Sequence, residues 1–168
     1  PEWSAKFIAG EISYKPRPWL EAQMPSFPKR AQLLAEGLAM QHGFSPQTSD
    51  EPPIDEKAAE IGRNLVSIPP LGFSCVACHA VGKVGITQVF ESPGINLAHS
   101  GERLLPAFFN RWLLSPQLID PISKMPTYFD EDGRSPLTDV YDGDGEKQIH
   151  AIWQYIRLGK KMPAPTTE

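Results

Sequence analysis

The chain has few cysteines, no basic stretch and no long apolar run, and each shortage excludes a class of protein. Its 168 residues include two cysteines, Cys75 and Cys78, so a secreted scaffold held by several disulfides is excluded. The formal net charge is -4 and the charges are interspersed, which excludes a stripe that neutralises a nucleic-acid backbone. No apolar run approaches the roughly 20 residues that a membrane-spanning helix needs. We therefore expect no nucleic-acid partner and no transmembrane segment.

Strand patterning is scarce as well. No stretch alternates apolar and polar residues long enough to predict a sheet. The 18 prolines outnumber the 13 glycines, which indicates short helices joined by rigid, irregular connections. We expect a mainly α fold in a loop-rich frame. Because the chain starts at Pro1, without Met and without a signal-peptide pattern, we expect a processed protein or a piece of a longer one whose export signal is not in this chain.

Three segments carry apolar residues at helical spacing. The first runs from an acidic start at Asp55 to a stop at Pro69. The second is Leu104–Leu114, broken at the proline that soon follows. The third begins after a cap at Asp144 and ends at Gly159. These segments predict three helices.

Both cysteines lie in one cluster, Cys75-Val76-Ala77-Cys78-His79. Two thiols three residues apart on a tight turn can form thioethers with the two vinyl groups of a haem, and the following imidazole can bind the iron. The other ring nitrogen needs an acceptor, and the carbonyl of Pro93 is our candidate. A structural zinc site would need further ligands, and a redox dithiol would need a strand–turn–helix context. The cluster therefore predicts one covalently bound haem c and its iron.

A methionine at position 125 is the predicted second axial ligand. It lies in Lys124-Met125-Pro126-Thr127-Tyr128-Phe129, where the proline limits the entropy lost when the sulfur binds, and Tyr128 could wall the haem from water. The alternative for Met125 is a side chain that fills a gap in the core. Weaker rival ligands are Met24, His99 and His150.

Several motifs occur in the order that is typical of one family. They are Gly62, the cluster 75–79, Pro93-Gly94-Ile95-Asn96-Leu97, Lys124-Met125-Pro126 and Trp153-Gln154-Tyr155. In this order and spacing the chain resembles class I cytochromes c. The resemblance implies a mainly α-helical fold in which the first and last helices cross near Gly62, with Tyr155 or Trp153 packed against it. It also implies one haem between His79 and Met125.

Residues 96–116 are similar to cytochrome modules that are fused to larger bacterial redox proteins. That similarity implies that Arg103, Arg111 and Trp112 meet the haem propionates, and an ordinary surface arginine or core tryptophan is the alternative for each. It further implies a periplasmic or otherwise exported location. The expected partners are redox proteins, or a fused dehydrogenase or oxidase module.

The resemblance covers roughly residues 55–160 and predicts a haem-binding domain at 55–168. Residues 45–54 are polar and proline-rich, which predicts a linker. Residues 1–44 then form an N-terminal helical extension. In it, Pro18-Trp19-Leu20 and Met24-Pro25-Ser26-Phe27 precede an apolar run that ends at Gly43, in the order seen after Met125. We interpret the extension as the second half of a cytochrome c module whose haem-binding half is absent.

The function that we expect is single-electron transfer through the haem, without catalysis. The alternative is a haem enzyme or gas sensor with an open distal position. A third hypothesis is a haem-stabilised structural module in which residues 1–44 bind a partner. The acidic run Asp142-Gly143-Asp144-Gly145-Glu146 lacks the spacing of a calcium loop, so we expect it to form turns and a helix cap.

Overall fold

A computed structural model of the chain describes residues 1–17, 20–46, 51–88 and 93–167. Within these ranges the protein is helical and forms no strand, and its extended pairings are the isolated bridges Val81–Val84 and Arg134–Asp144. The predicted mainly α class is therefore confirmed. Two predictions fall outside the described residues in part: the Pro18-Trp19 motif, and the linker at positions 47–50.

The chain divides into two compact units, Pro1–Pro53 and Ile54–Glu168. The first unit contains helix α1 (Glu2–Ala9), a 3-10 turn and helix α2 (Ala31–Gln41). The two helices pack through small residues, and the buried positions are Ala5, Ile8, Ala31 and Ala35. Such a core is small for its length, and it leaves much apolar surface on α2 exposed.

The second unit holds six α-helices among the described residues. They are α3 (Glu56–Val66), α4 (Cys75–Cys78), α5 (Ser100–Arg103), α6 (Pro106–Leu114), α7 (Pro116–Ile119) and α8 (Gly145–Ile156). Short 3-10 helices at Leu97–His99, Tyr141–Gly143 and Gly159–Lys161 connect or extend them. One core cluster joins α3, α6 and α8.

Side-chain caps explain where α3 and α8 begin. The Asp55 carboxylate accepts hydrogen bonds from the backbone of Lys57 and Ala58, at 2.9 and 3.0 Å. Asp144 accepts one from the backbone of Lys147 at 3.1 Å. Each bond satisfies an amide that the first helical turn leaves unpaired. The predicted helix starts and the predicted capping role of Asp144 are confirmed.

The helix ends differ from the predicted ones. Helix α3 ends at Val66, because Ser67 adopts an extended conformation and its hydroxyl donates to the Arg63 carbonyl at 2.8 Å. Helix α8 ends at Ile156, and Gly159 begins a 3-10 turn with φ of +55°. The chain therefore leaves each helix one turn or less before the glycine or proline that was predicted to stop it.

The second predicted helix, Leu104–Leu114, starts later than expected and is followed by a further short helix. Helix α6 starts at Pro106 and not at Leu104, since proline suits the first helical position, where no amide is needed. The same holds for Pro116, which starts α7 after the break at Ser115. The predicted break is confirmed, and the proline that causes it opens the next helix.

Helices α3 and α8 are in close backbone contact at Gly62. A Cβ atom placed there would lie 2.6 Å from the carbonyl carbon of Ala151 and 2.9 Å from the Ile152 nitrogen. The crossing at Gly62 agrees with what the resemblance implies. The three atoms nearest to that position belong to the α8 backbone at Ala151 and Ile152. Packing of Trp153 or Tyr155 against Gly62 stays a prediction.

We predict that Gly62→Ala destabilises the second unit by about 3 kcal/mol or more, because the new methyl group cannot fit without separating α3 from α8. Urea unfolding followed by near-ultraviolet circular dichroism measures this loss. Gly37→Ala is the matched control, since Gly37 is also helical and nothing lies within 4 Å of its added Cβ. The control should change stability by no more than about 1 kcal/mol, in the stabilising direction. Equal stability of the two variants would contradict the close crossing.

Candidate haem site

The Cys75–Cys78 turn is attached to the end of α3 by backbone hydrogen bonds. The Phe73 amide donates to the Leu65 carbonyl at 2.8 Å, and the Ser74 amide donates to the Ser67 carbonyl at 2.9 Å. Ser74 adopts a left-handed conformation with φ of +61°, which turns the chain sharply into α4. The two cysteines are therefore presented on one short helical turn whose base is fixed to α3.

Neither cysteine forms a disulfide, and both are partly covered. Burial raises the pKa of the Cys75 thiol to about 12, and it also raises the pKa of Cys78. Both groups are thus neutral thiols at physiological pH, in a weakly polar environment. Side chains of this kind are available for thioether bonds and are poor ligands for a bare cation.

The imidazole of His79 has a fixed orientation. Its Nδ1 atom lies 2.8 Å from the Ile95 carbonyl oxygen, which can only accept a hydrogen bond, so Nδ1 carries the proton. Burial lowers the pKa of His79, which favours the neutral ring, although the Ile95 carbonyl acts in the opposite sense. In the neutral ring the lone pair is on Nε2, the atom that can bind a metal.

The acceptor for His79 corrects one prediction. We expected the carbonyl of Pro93 in this role, and the structure places the carbonyl of Ile95 there, two residues further along. The reason is the close packing of Gly94, whose added Cβ would lie 2.8 Å from Cγ of His79 and closer still to Nδ1 and Cε1. The backbone passes against the ring at Gly94, and the next residue supplies the carbonyl.

Asn96, which was not among the predicted site residues, holds this loop in place. Its carboxamide accepts from the Gly82 and Ala98 amides at 3.1 and 3.0 Å, and it donates to the Gly82 carbonyl at 2.9 Å. An asparagine directly before a short helical turn is the signal that could have identified it. The bonds connect the Ile95 segment to the chain that follows His79.

Hydrogen bonds restrain Met125 at two atoms, its side-chain sulfur and its backbone carbonyl oxygen. The indole Nε1 of Trp112 donates to the Met125 sulfur at 3.1 Å. The carboxamide of Gln117 donates to the Met125 carbonyl at 2.6 Å, and Thr127 in turn donates to Gln117 at 2.7 Å. A thioether sulfur has two lone pairs, so one remains when the other accepts from the indole. Gln117 was not among the predicted site residues.

Three aromatic side chains pack together next to the Cys75–Cys78 turn, since Phe73 lies two residues before Cys75. The Tyr128 ring is 5.1 Å from the ring of Phe73, and Phe73 is 5.5 Å from the buried Phe129. Burial raises the pKa of Tyr128 to about 12, and charge on Cys75 or Cys78 would raise it further.

The predicted propionate contacts and the rival iron ligands lie in different surroundings. Trp112, which the resemblance places at the propionates, contacts Met125. Arg111 is exposed on α6, whereas Nε and Nη1 of Arg103 are shielded from solvent. Among the rival ligands, His99 pairs with Glu102 at 3.6 Å, His150 contacts Gln154 at 3.3 Å, and Met24 is 45% exposed in the first unit.

Comparisons with known proteins add no relative: no family model, curated protein or solved structure matches the chain. Within the described ranges, no group of three or more His, Cys, Asp or Glu side chains could hold a metal ion. No helix in the part of the chain that the structure describes is long and apolar enough to cross a membrane. The interpretation of the site therefore depends on its own geometry.

We predict that Gly94→Ala displaces the His79 ring, because the new methyl group would overlap it. The variant should lose the Ile95 hydrogen bond and about 1–3 kcal/mol of stability. Nuclear magnetic resonance of the His79 Nδ1 proton, together with urea unfolding, measures both effects. Gly85→Ala is the control, since nothing lies within 4 Å of its added Cβ. A Gly94 variant with an unchanged Nδ1 signal would contradict the packing described above.

Proposed function

We propose that this chain transfers single electrons through one haem bound covalently to Cys75 and Cys78, with His79 and Met125 as axial ligands. The observation that carries the proposal is the orientation of His79, whose Nδ1 is committed to the Ile95 carbonyl and whose Nε2 is left to bind iron. Two neutral, unpaired thiols on the adjacent turn support covalent attachment. On this proposal the second unit has the class I cytochrome c fold.

The groups around the site fit a haem. The rings of Phe73 and Tyr128, with buried Phe129, supply the apolar wall that a porphyrin needs. Met125 and Cys75 both pack against the hydrophobic core cluster of the second unit. Arg103 and Arg111 remain the candidates for the propionates. The single N–H of Trp112 donates to the Met125 sulfur, so a propionate contact from this indole would require that bond to break.

When bound, the haem supplies an iron that alternates between the ferric and ferrous states. The protein's part is to keep the ligand geometry the same in both states, so that little rearranges when the electron passes. The hydrogen bonds from Gln117 to the Met125 backbone and from His79 to Ile95 restrain the two ligands. On this proposal, Tyr128 and Phe73 would keep water from the haem edge at the cysteines. Less solvent would then reorient when the charge of the iron changes.

The same proposal implies a compartment and a kind of partner. Thioether formation requires reduced thiols and haem, delivered by export-linked maturation machinery, so we propose a periplasmic or otherwise exported location. Partners would be redox proteins, or a dehydrogenase or oxidase module in the same polypeptide, that dock transiently through a small surface.

Removal of the Met125 sulfur should open a coordination site. We predict that reduced Met125→Ala binds carbon monoxide quickly, has a lower reduction potential than the wild type, and loses the weak sulfur-to-iron band of the oxidised form. Absorption spectroscopy and potentiometry measure these changes. Met162→Ala is the matched control: Met162 also precedes a proline and packs on the same core cluster, and its loss should leave all three properties unchanged.

Two results would contradict the proposal. Haem that leaves the wild-type polypeptide in acid–acetone would exclude thioether attachment. Rapid carbon monoxide binding by the wild type would favour a haem enzyme or gas sensor with an open distal position over an electron carrier.

The hydrogen bond from Trp112 should raise the reduction potential. It withdraws electron density from the sulfur, which weakens donation to ferric iron more than to ferrous iron. We predict that Trp112→Phe lowers the potential by roughly 20–60 mV, the equivalent of a hydrogen bond of about 0.5–1.5 kcal/mol. Trp3→Phe, which removes an indole hydrogen bond to Tyr14 in the first unit, is the control and should leave the potential unchanged. A Trp112→Phe potential equal to or above that of the wild type would contradict this role.

A further inference from the structure

The segment that follows α8 is hydrogen-bonded to both α8 and α3. The Tyr155 hydroxyl donates to the Pro163 carbonyl. A guanidinium nitrogen of Arg63 donates to the Ala164 carbonyl at 3.3 Å. Residues 163–166 form this segment, which we call the strap. The strap therefore connects the last turn of α8 to the last turn of α3.

The last residue of the strap exchanges two hydrogen bonds with the chain directly after α3. The Thr166 amide donates to the Ser67 hydroxyl oxygen at 2.9 Å. The Thr166 carbonyl accepts from the Ile68 amide at 3.2 Å. The hydroxyl and the amide that it receives lie 99 positions apart along the chain, so no local turn produces this pairing.

Ser67 joins the strap to the turn that carries the cysteines. Its side chain is 0% exposed, and its hydroxyl donates to the Arg63 carbonyl while it accepts from Thr166. The Ser67 carbonyl accepts from the Ser74 amide at 2.9 Å. Ser74 directly precedes Cys75, and its left-handed conformation turns the chain into α4. The residue that receives the strap therefore also holds the base of the cysteine turn.

We propose that Ser67 is a positioning residue for the Cys75–Cys78 turn and that the strap keeps Ser67 in place. Release of the strap would free the Ser67 hydroxyl and let the hydrogen bond between Ser67 and Ser74 open. The turn would then be attached to α3 through the Phe73 amide alone. This inference rests on the proposed function in one respect, since on that proposal the turn carries the covalently bound haem.

The strap should open more easily than the helices that it joins. Pro163 and Ala164 are exposed, and Pro165 between Ala164 and Thr166 is buried. Segments with few buried contacts and few hydrogen bonds open locally, at a lower free energy than global unfolding. Helices α3 and α8 instead share the core cluster of the second unit. The Ser74 amide should therefore become accessible through opening of the strap, while α3 and α8 stay folded.

Amide hydrogen exchange of the full chain at increasing urea concentration tests this coupling. We expect the Ser74 and Thr166 amides to exchange at rates that low urea concentrations do not change, because a local opening exposes little surface. Tyr155→Phe keeps the ring and removes the hydrogen bond to the strap. It should accelerate exchange of both amides by the same factor, roughly three- to tenfold, which corresponds to the loss of one uncharged hydrogen bond.

Two further variants sharpen the test. Ser67→Ala removes the hydroxyl that receives the strap and should accelerate exchange of the Ser74 amide by a similar factor, although the carbonyl that accepts from this amide is unchanged. Tyr141→Phe is the matched control for Tyr155→Phe. The Tyr141 ring also packs on the core cluster, and the structure shows no hydrogen bond of its hydroxyl among the described residues. The control should leave exchange of the Ser74 amide unchanged.

A second measurement reports on the haem and not on the stability of the fold. Soret circular dichroism depends on how the turn holds the porphyrin. We expect it to change in Tyr155→Phe and in Ser67→Ala, and to stay as in the wild type in Tyr141→Phe.

Three results would overturn the inference. They are Ser74 exchange that is unchanged in Tyr155→Phe while Thr166 exchange is accelerated, equal acceleration of Ser74 exchange in Tyr141→Phe, and a Soret signal that neither strap variant alters. The exchange measurement requires no haem, so its outcome holds whether or not the cysteines carry one. A wild-type chain without a Soret band would contradict the proposed function and leave the exchange result in force.

Discussion

The crossing of α3 and α8 at Gly62 is the contact on which both sides of the candidate site depend. The absence of a side chain lets the backbone of α3 lie against Ala151 and Ile152. From the end of α3, the amides of Phe73 and Ser74 fix the turn that carries the cysteines. On α8, Trp153 packs 5.0 Å from Phe109 of α6, the helix that also carries Trp112 and its contact with Met125. One glycine therefore sets the positions of two groups that lie far apart in sequence.

Uncharged hydrogen bonds, and not ion pairs, hold the groups of the site. A backbone carbonyl orients His79, and an indole and a carboxamide restrain Met125. Burial keeps the cysteines as thiols and the imidazole neutral. Such surroundings respond little to a change of one charge, since few side chains ionise or reorient near it. For the proposed electron carrier, this rigidity is the property that matters most.

Local signals in the sequence predicted the parts of the fold that local interactions determine. Asp55 and Asp144 could be identified as caps because a cap contacts amides only two or three residues away. The acceptor of His79, the neighbours of Gly62 and the partner of Trp112 could not, because each depends on how distant segments align. A shift of two residues in one loop makes the carbonyl of Ile95, and not that of Pro93, the acceptor for His79. The spacing of apolar residues along the chain gives no sign of such a shift. Helix α1, with buried Ala5 and Ile8 at helical spacing, could be predicted from the same kind of local signal.

The two Met-Pro loops differ in what surrounds the methionine. Around Met125, an indole and a carboxamide fix the sulfur and the backbone before any iron is bound. In the first unit, the indole of Trp3 donates to Tyr14 at 2.8 Å, and Met24 is left half-exposed. The same dipeptide therefore lies in two different surroundings. Hydrogen bonds already restrain Met125 at its sulfur and at its carbonyl, so a ligand to that sulfur would cost less ordering free energy than one to the half-exposed side chain of Met24.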